Sequence, residues 1–356
     1  MYTRAVEELP ESLVKDGKSV FGTFRGHPKS FDIRGIYRPY GTLPLPTFIT
    51  NLRIKSRLSY FFNVGDYIGS IEFFDAKAFG MAEVIFWDKK TRKKFEYHSL
   101  MGPRKRLIPH AMESAHTYSN KKGRYIRIGW NRKSDKLSVV FNLSGGKTGS
   151  DSTAALISHF NTDDMGEAVT ISPCPTRRRS SAYYYLSASL HGAVTVFNQK
   201  TNQLKAMDDA DGQAFLAINR TYMKFRSNGH SVTFLGEIDG KKISFRISSS
   251  SYEAVECEKY NSNVLFYNGE LTPLPPVVIT HPFGVGKKWV IQDTENMVDL
   301  TFTPDSECHK SISAVILTTE YRNFMGTFDG VIVTRDGQKI NLKSMAGMAK
   351  TYLLRL

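Results

Sequence analysis

Apolar and polar residues alternate along this chain in short runs, and the runs are separated by small polar segments. Tyr60–Val64, Ile68–Phe74, Ala82–Trp87, Tyr125–Trp130 and Leu137–Leu143 read as strands, because a strand sends successive side chains to opposite faces. Their connections, at residues 88–92, 120–123 and 132–135, are rich in Lys, Arg, Asp and Asn. A second set follows: Tyr183–Ala188, Ala193–Phe197, Phe215–Asn219, Val232–Leu235 and Ile243–Ile247, closing on Val331–Thr334 and Lys339–Lys343. Asp239-Gly240, Asn268-Gly269 and Asp336-Gly337 fall where such runs end. Each is a hairpin signal, since glycine supplies the positive φ that tight turns need. The pattern predicts an all-β protein, and its turn spacing suits an antiparallel barrel or sandwich rather than a parallel sheet.

With 356 residues the chain exceeds the roughly 250–300 at which single cores stop growing, so two domains are expected. Residues 1–18 read as an N-terminal arm, helical or irregular, with Leu9, Leu13 and Val14 on one stripe between the limits of Pro10 and Gly17. Residues 99–116 form a longer basic loop in which Pro103 and Pro109 oppose a strand. The segment 172–181 holds two prolines and Arg177-Arg178-Arg179, and its composition marks it as the linker. A basic first β-domain over 19–171 and a second β-domain over 182–356 follow from that boundary. Trp87-Asp-Lys-Lys-Thr-Arg-Lys93 and Phe197-Asn-Gln-Lys-Thr-Asn-Gln203 echo each other. They are either convergent turn chemistry or the trace of two related halves.

The closing segment carries a resemblance. Phe324-Met-Gly326-Thr-Phe328-Asp-Gly330, Arg335-Asp-Gly337 and Ala346-Gly347-Met348-Ala349-Lys350 are similar to the end of the DUF2804 family, a domain of unknown function. Val264-Leu-Phe-Tyr267-Asn-Gly269, Phe21-Gly22-Thr-Phe24, Pro44-Leu-Pro46 and Lys90-Thr91-x-x-Lys94 resemble further family motifs, so the likeness spans most of the chain. It implies two lipocalin-like antiparallel halves in tandem, distantly like the paired barrels of prenyl-chain hydratases and terpenoid cyclases. One family segment is matched by Asp211, Leu216 and Arg220, while Ala217 and Ile218 replace its second acid and its tryptophan. A second is altered to Ser248-Ser-Ser-Ser-Tyr-Glu253 with Ser262-Asn263, in which Asn263 is the clear match.

Charge divides the chain unevenly. Residues 1–150 hold 27 Lys and Arg against 13 Asp and Glu, whereas residues 151–356 hold 21 of each. Such asymmetry points to an anionic partner for the first half (a phospholipid surface, RNA or an acidic protein) or to a solubilising face. Arg104, Lys105, Arg106, Lys121, Lys122, Arg124, Arg132 and Lys133 are the candidate contacts, interleaved with Tyr118, Tyr125 and Trp130. Alternation turns Ile126, Ile128 and Trp130 inward and Tyr125 and Arg127 outward. No nucleic-acid module signature accompanies the charge. Cys174, Cys257 and Cys308 form no C-x-x-C pair, which argues against a zinc site and fits a reducing compartment. With neither an apolar leader nor a run near the ~20 apolar residues a span requires, a cytoplasmic location is expected. The tail Leu354-Arg355-Leu356 lacks the small residue of a peroxisomal address.

Catalytic motifs are missing. There is no phosphate loop, dinucleotide fingerprint, H-E-x-x-H or nucleophile elbow, and Gly145-Gly-Lys-Thr148 reads as a turn. Neither a cofactor nor a metal is expected. What remains is Asp211–Tyr222, where Asp211 and Asn219 would share one strand face and Arg220 and Tyr222 the other. Asp211, Glu253 and His230 are the candidate acid–base residues, and Asn219, Arg220, Tyr222, Asn263 and Tyr267 the candidate ligand contacts. A buried Asp211–Arg220 pair that merely holds strands together is the competing reading. Tyr183–Tyr185, Phe215, Phe234, Phe245, Phe266 and Tyr267 could line a barrel interior or simply fill it. The leading expectation is binding or carriage of a hydrophobic or amphipathic small molecule, with the basic half docking an anionic surface. The alternatives are a hydratase, isomerase or cyclase acting on a prenyl-type chain by proton transfer from Asp211 or Glu253, and a subunit of a larger assembly that could contain RNA.

Overall fold

The computed structural model describes residues 2–41, 45–104, 107–145, 150–198, 203–205, 208–314 and 317–355. Among them the single helix is Thr47–Leu52, and the rest of the regular structure is strand. No helix is long and apolar enough to cross a membrane.

Two large sheets form the molecule. The path of the first runs Lys94–Met101, Gly80–Asp88, Tyr67–Asp75, Ile54–Val64, Ala210–Tyr222, Ser180–Asn198, Ser150–Ser158, Lys136–Leu143, Arg124–Asn131, Ser114–Lys121. It curls into a nearly closed barrel. Unpaired edges invite association, and here the two ends meet through side chains: Lys121 Nζ donates to Leu100 O at 2.6 Å, and Arg124 Nη1 to His98 O at 2.5 Å. The second sheet runs Glu270–Pro273, Val264–Tyr267, Lys241–Ser250, Arg226–Ile238, Lys339–Arg355, Leu317–Val333, Val298–Ala314, Trp289–Gln292, Val278–Thr280 and makes a half-barrel.

Both concave interiors are filled. In the first, Phe62, Phe95 and Phe141 all pack on the Phe86 ring, and Ile126, Ile128 and Trp130 point inward as alternation predicts. In the second, Phe234, Phe245, Phe302, Phe328 and Trp289 interlock. The expected aromatic lining of a hollow barrel is therefore a packed core at Phe234 and Phe245. Tyr185, Phe215 and Phe266, with Tyr183 packed against them, belong to a separate cluster where the two sheets meet.

The hairpin signals hold. Asp239 and Gly240 (φ 51° and 74°) join two neighbouring strands, as do Asn268 and Gly269 (φ 48° and 80°). Three expectations shift. The arm is not helical: Glu7–Glu8 pairs with Gly22–Arg25, Val14–Lys15 pairs with Lys18–Ser19, and Leu13 enters the first core. The 172–181 segment is not an interdomain linker, because the strands it joins, Gly166–Pro173 and Ser180–Asn198, pair with each other in the first sheet. The chain passes between sheets at residues 223–225, directly after Ala210–Tyr222. The two echoing turns also lie in this one sheet, with residues 199–202 outside the described ones, so they do not mark one turn in each half.

Candidate functional site

The outer faces of the two sheets pack against each other, and the strands that meet there carry polar side chains on those faces. Ile54–Val64 presents Arg57, Ser59 and Phe61, and Ala210–Tyr222 presents Phe215, Ala217 and Asn219. From the second sheet come Ser231, Arg246 and Ser248, together with Tyr352. Direct bonds cross the seam: Asn63 Nδ2 donates to Leu235 O at 2.8 Å, and Ser187 and Ser244 share a hydrogen bond at 2.8 Å. Tyr185 Oη donates to Ser262 O at 2.9 Å.

Packing is incomplete at one place. A cavity of about 90 Å³ opens between the sheets, walled by Arg57, Phe74, Tyr183, Asn219, Arg246, Ser248 and Tyr352 and rimmed by Tyr252, Glu253 and Asn261. That is room for several waters or a small organic group. A smaller void of about 20 Å³ adjoins it, sharing Ser231 and Arg246 and reaching Glu72 and Lys350.

Electrostatics in the seam are cationic. Glu72 is buried, and its carboxylate takes Arg57 Nε at 3.1 Å and Lys350 Nζ at 2.8 Å. Burial pushes Glu72 upward, but Arg57 and Lys350 outweigh it and hold the carboxyl down at about 2. Arg57 also donates to Tyr321 Oη at 3.2 Å and lies over the rings of Phe74 and Tyr321. Arg246 donates to Thr233 Oγ1 at 2.9 Å and covers the Phe61 ring at 5.2 Å. Desolvation raises the Tyr183 and Tyr352 hydroxyls against the pull of nearby arginines, so both stay neutral donors at ordinary pH. Lys55, at the cavity's edge, is lowered to about 8 by burial and by Arg53. Its ammonium donates to Ala76 O at 2.5 Å. Burial lifts the Cys174 thiol to about 12, which leaves it protonated.

The sequence candidates are divided by the fold. Asn219, Glu253 and Asn263 line the seam cavity. Asn263 Oδ1 accepts from Ser248 N at 2.9 Å and its Nδ2 donates to Pro275 O at 2.9 Å, while Glu253 caps Ser250 N at 2.8 Å. Arg220 and Tyr222 alternate with Asn219 and so face the opposite way, into the first barrel. Asp211 is exposed at the strand's far end, 2.9 Å from His191. It therefore forms no pair with Arg220. His230 alternates with Ser231 and packs against His281 and Trp289 on the second barrel's inner side. Tyr267 sits at that barrel's rim, where its hydroxyl accepts from Gln338 Nε2 at 2.9 Å.

Within the basic set, Lys105 and Arg106 lie outside the described residues. Lys121 and Arg124 are used in closing the barrel, and Arg104 donates to Tyr118 O at 3.0 Å. Lys122 occupies the turn between Ser114–Lys121 and Arg124–Asn131, on this same end. Arg132 is bound to Glu167, Tyr184 and Met112 O, and it stands with Lys133 past the other end of Arg124–Asn131. That separation is about 25 Å at the strand rise, so the set forms no single patch.

Sequence reasoning missed Arg57, Arg246, Tyr352 and Lys55. The available signal was a lone arginine on one face of a strand whose other face is apolar, as in Ser244-Phe-Arg246-Ile-Ser248.

No curated protein matches the chain. Two solved structures are similar to it: kievitone hydratase from Nectria haematococca, at 10% identity and TM-score 0.40 over 85% of this chain and 88% of that one, and CghA with Sch210972, at 11% identity and TM-score 0.39 over 85% and 89%. The family model described as "Domain of unknown function (DUF2804)" matches residues 4–355. With strands, motifs and model all running the length of the chain, this protein belongs to the DUF2804 family.

Proposed function

We propose that the seam cavity is the active site of a cofactor-free hydratase, isomerase or cyclase acting on a small, unsaturated organic molecule. The observation that carries this reading is the composition of the cavity. Neutral tyrosine hydroxyls and arginine donors face a space bordered by the Glu253 carboxylate, whereas both barrel interiors are full. A carrier of a purely hydrophobic ligand would need an apolar cavity, because unpaired polar walls cost more than they return.

In a hydration, Glu253 takes a proton from water as its oxygen bonds to one carbon of a conjugated double bond. The π pair moves onto the neighbouring carbonyl oxygen, to which Tyr183 and Tyr352 donate. That pair then returns to carbon, which takes the proton from Glu253. Donors aimed at developing negative charge and a positioned carboxylate are each worth roughly 10²-fold or more in rate.

Native mass spectrometry of protein purified gently from its own cells identifies the bound compound, which is then incubated with fresh enzyme. Conversion is expected, with Glu253→Gln and Tyr183→Phe each slowing it by about 10²-fold. Recovery of the compound unchanged, with every variant still binding it, would overturn catalysis in favour of carriage.

A further inference from the structure

We propose that the seam site recognises a carboxylate on its ligand, with Arg246 as the anchoring cation. This rests on the seam being a small-molecule site, and it adds the ligand's chemical class.

The argument is an inventory of charge. Arg4, Arg57, Arg246 and Lys350 converge on the seam. All 34 acidic side chains of the chain lie among the described residues. Glu72 alone stands within ion-pair distance of any of these four cations, and its two oxygens are shared between Arg57 and Lys350. Glu83, the next carboxylate, is 2.8 Å from His98 Nδ1. Arg4 is nine-tenths buried, and its two terminal nitrogens donate to Asn261 O and Asn263 O near the cavity, while its Nε has no partner.

Arg246 is different. It lines both voids and makes one side-chain hydrogen bond, to Thr233, out of the five a guanidinium can donate. Arg246 is half-buried, and Glu72 reaches it only through space, without an ion pair. A planar fork whose free donors face open space matches a carboxylate, which it can bind through two parallel hydrogen bonds. The Phe61 ring lies beneath its guanidinium carbon, 5.2 Å away. A single negative charge suits the site better than a phosphate dianion, because Glu253 stands at the rim and repels anionic charge. The ligand is then an organic acid whose carboxylate sits on Arg246 and whose body extends along Tyr183 and Tyr352 toward Glu253.

The test compares benzoate, benzamide and inorganic phosphate as probes of the intact chain at low ionic strength, by calorimetry and by shift in Tm. Benzoate is expected to bind and raise Tm, with benzamide and phosphate at least ~10-fold weaker. Arg246→Met should weaken benzoate by ~10-fold or more, with little change in the melting of the ligand-free protein, since the half-buried side chain gives up one hydrogen bond, to Thr233. Equal binding of benzamide, tighter binding of phosphate, or unchanged benzoate affinity in folded Arg246→Met would each overturn the proposal. The benzoate–benzamide comparison on wild type stands even if the variant does not fold. Turnover of a neutral substrate with no benzoate binding would sink the ligand class alone. Benzoate binding beside a native compound that is never converted would sink catalysis alone.

Discussion

Arg220 and Arg246 both lie on strands, and neither has a carboxylate within ion-pair distance among the described residues, yet their surroundings differ. Arg220 points into the end of the first barrel. There its guanidinium donates to Phe31 O at 2.8 Å, Ser56 Oγ at 2.9 Å, Ile108 O at 3.1 Å and Pro109 O at 2.7 Å. Those acceptors come from two loops and a strand, so one side chain ties the barrel's end shut. Arg246 faces the seam with a single such bond. A buried cation held by four hydrogen bonds is part of the scaffold; a half-buried one whose donors face a void implies something that enters it. Charge alone does not separate the two cases, whereas burial and the count of satisfied donors do.

The sharpest way to break this contrast is Arg220→Ala. Truncation leaves four acceptors without their donor and opens space in the core, so a loss of about 5 kcal/mol is expected, read from chemical denaturation. A loss below about 1 kcal/mol would mean the loops are held by other contacts and Arg220 is not the tie.

Glu72→Gln comes next. It leaves Arg57 and Lys350 in the seam without their shared counter-ion, and breaking such a buried pair costs about 4 kcal/mol. The pH dependence follows from the depressed carboxyl. Its folded value of about 2 lies below the ordinary 4.5, so its stabilisation is complete above pH 4.5 and drains away as pH falls toward about 2. Wild type should lose stability across that window more steeply than Glu72→Gln. Parallel curves would show that the pair does not contribute to stability.

How much of this was legible in the sequence follows from what alternation can and cannot encode. The strand class and the Asp239-Gly240 and Asn268-Gly269 turns were readable, because a period of two and a positive-φ glycine are local properties. So was the opposition of Asn219 to Arg220. The partition of the chain was not, since the prolines and arginines of 172–181 serve a turn within one sheet, while the true passage at 223–225, Met-Lys-Phe, carries no breaker. The seam was illegible for a related reason. A strand face that looks solvent-exposed by its Ser, Arg and Asn residues is instead covered by a second sheet, and only three-dimensional pairing reveals that Arg57 and Arg246 face a common space. The second altered family stretch, Ser248–Glu253 with Asn263, did fall on the cavity wall, although its family meaning was inferred from likeness rather than from physics.

The smallest expected effect returns to the strand that holds both Arg220 and Asn219. Asp211 stands near its start, in a shallow surface depression with Ser189, His191 and Lys242. Its carboxylate is largely exposed and meets His191, itself exposed, at 2.9 Å, the kind of pair that solvent and salt screen to little. Asp211→Asn keeps the shape and removes the charge. Melting temperature, benzoate affinity and conversion of the native compound should all stay within error of wild type. A drop in conversion with unchanged binding would reverse the contrast drawn here. It would place proton transfer at the strand's exposed end rather than in the seam, and restore Asp211 over Glu253 as the acid–base residue.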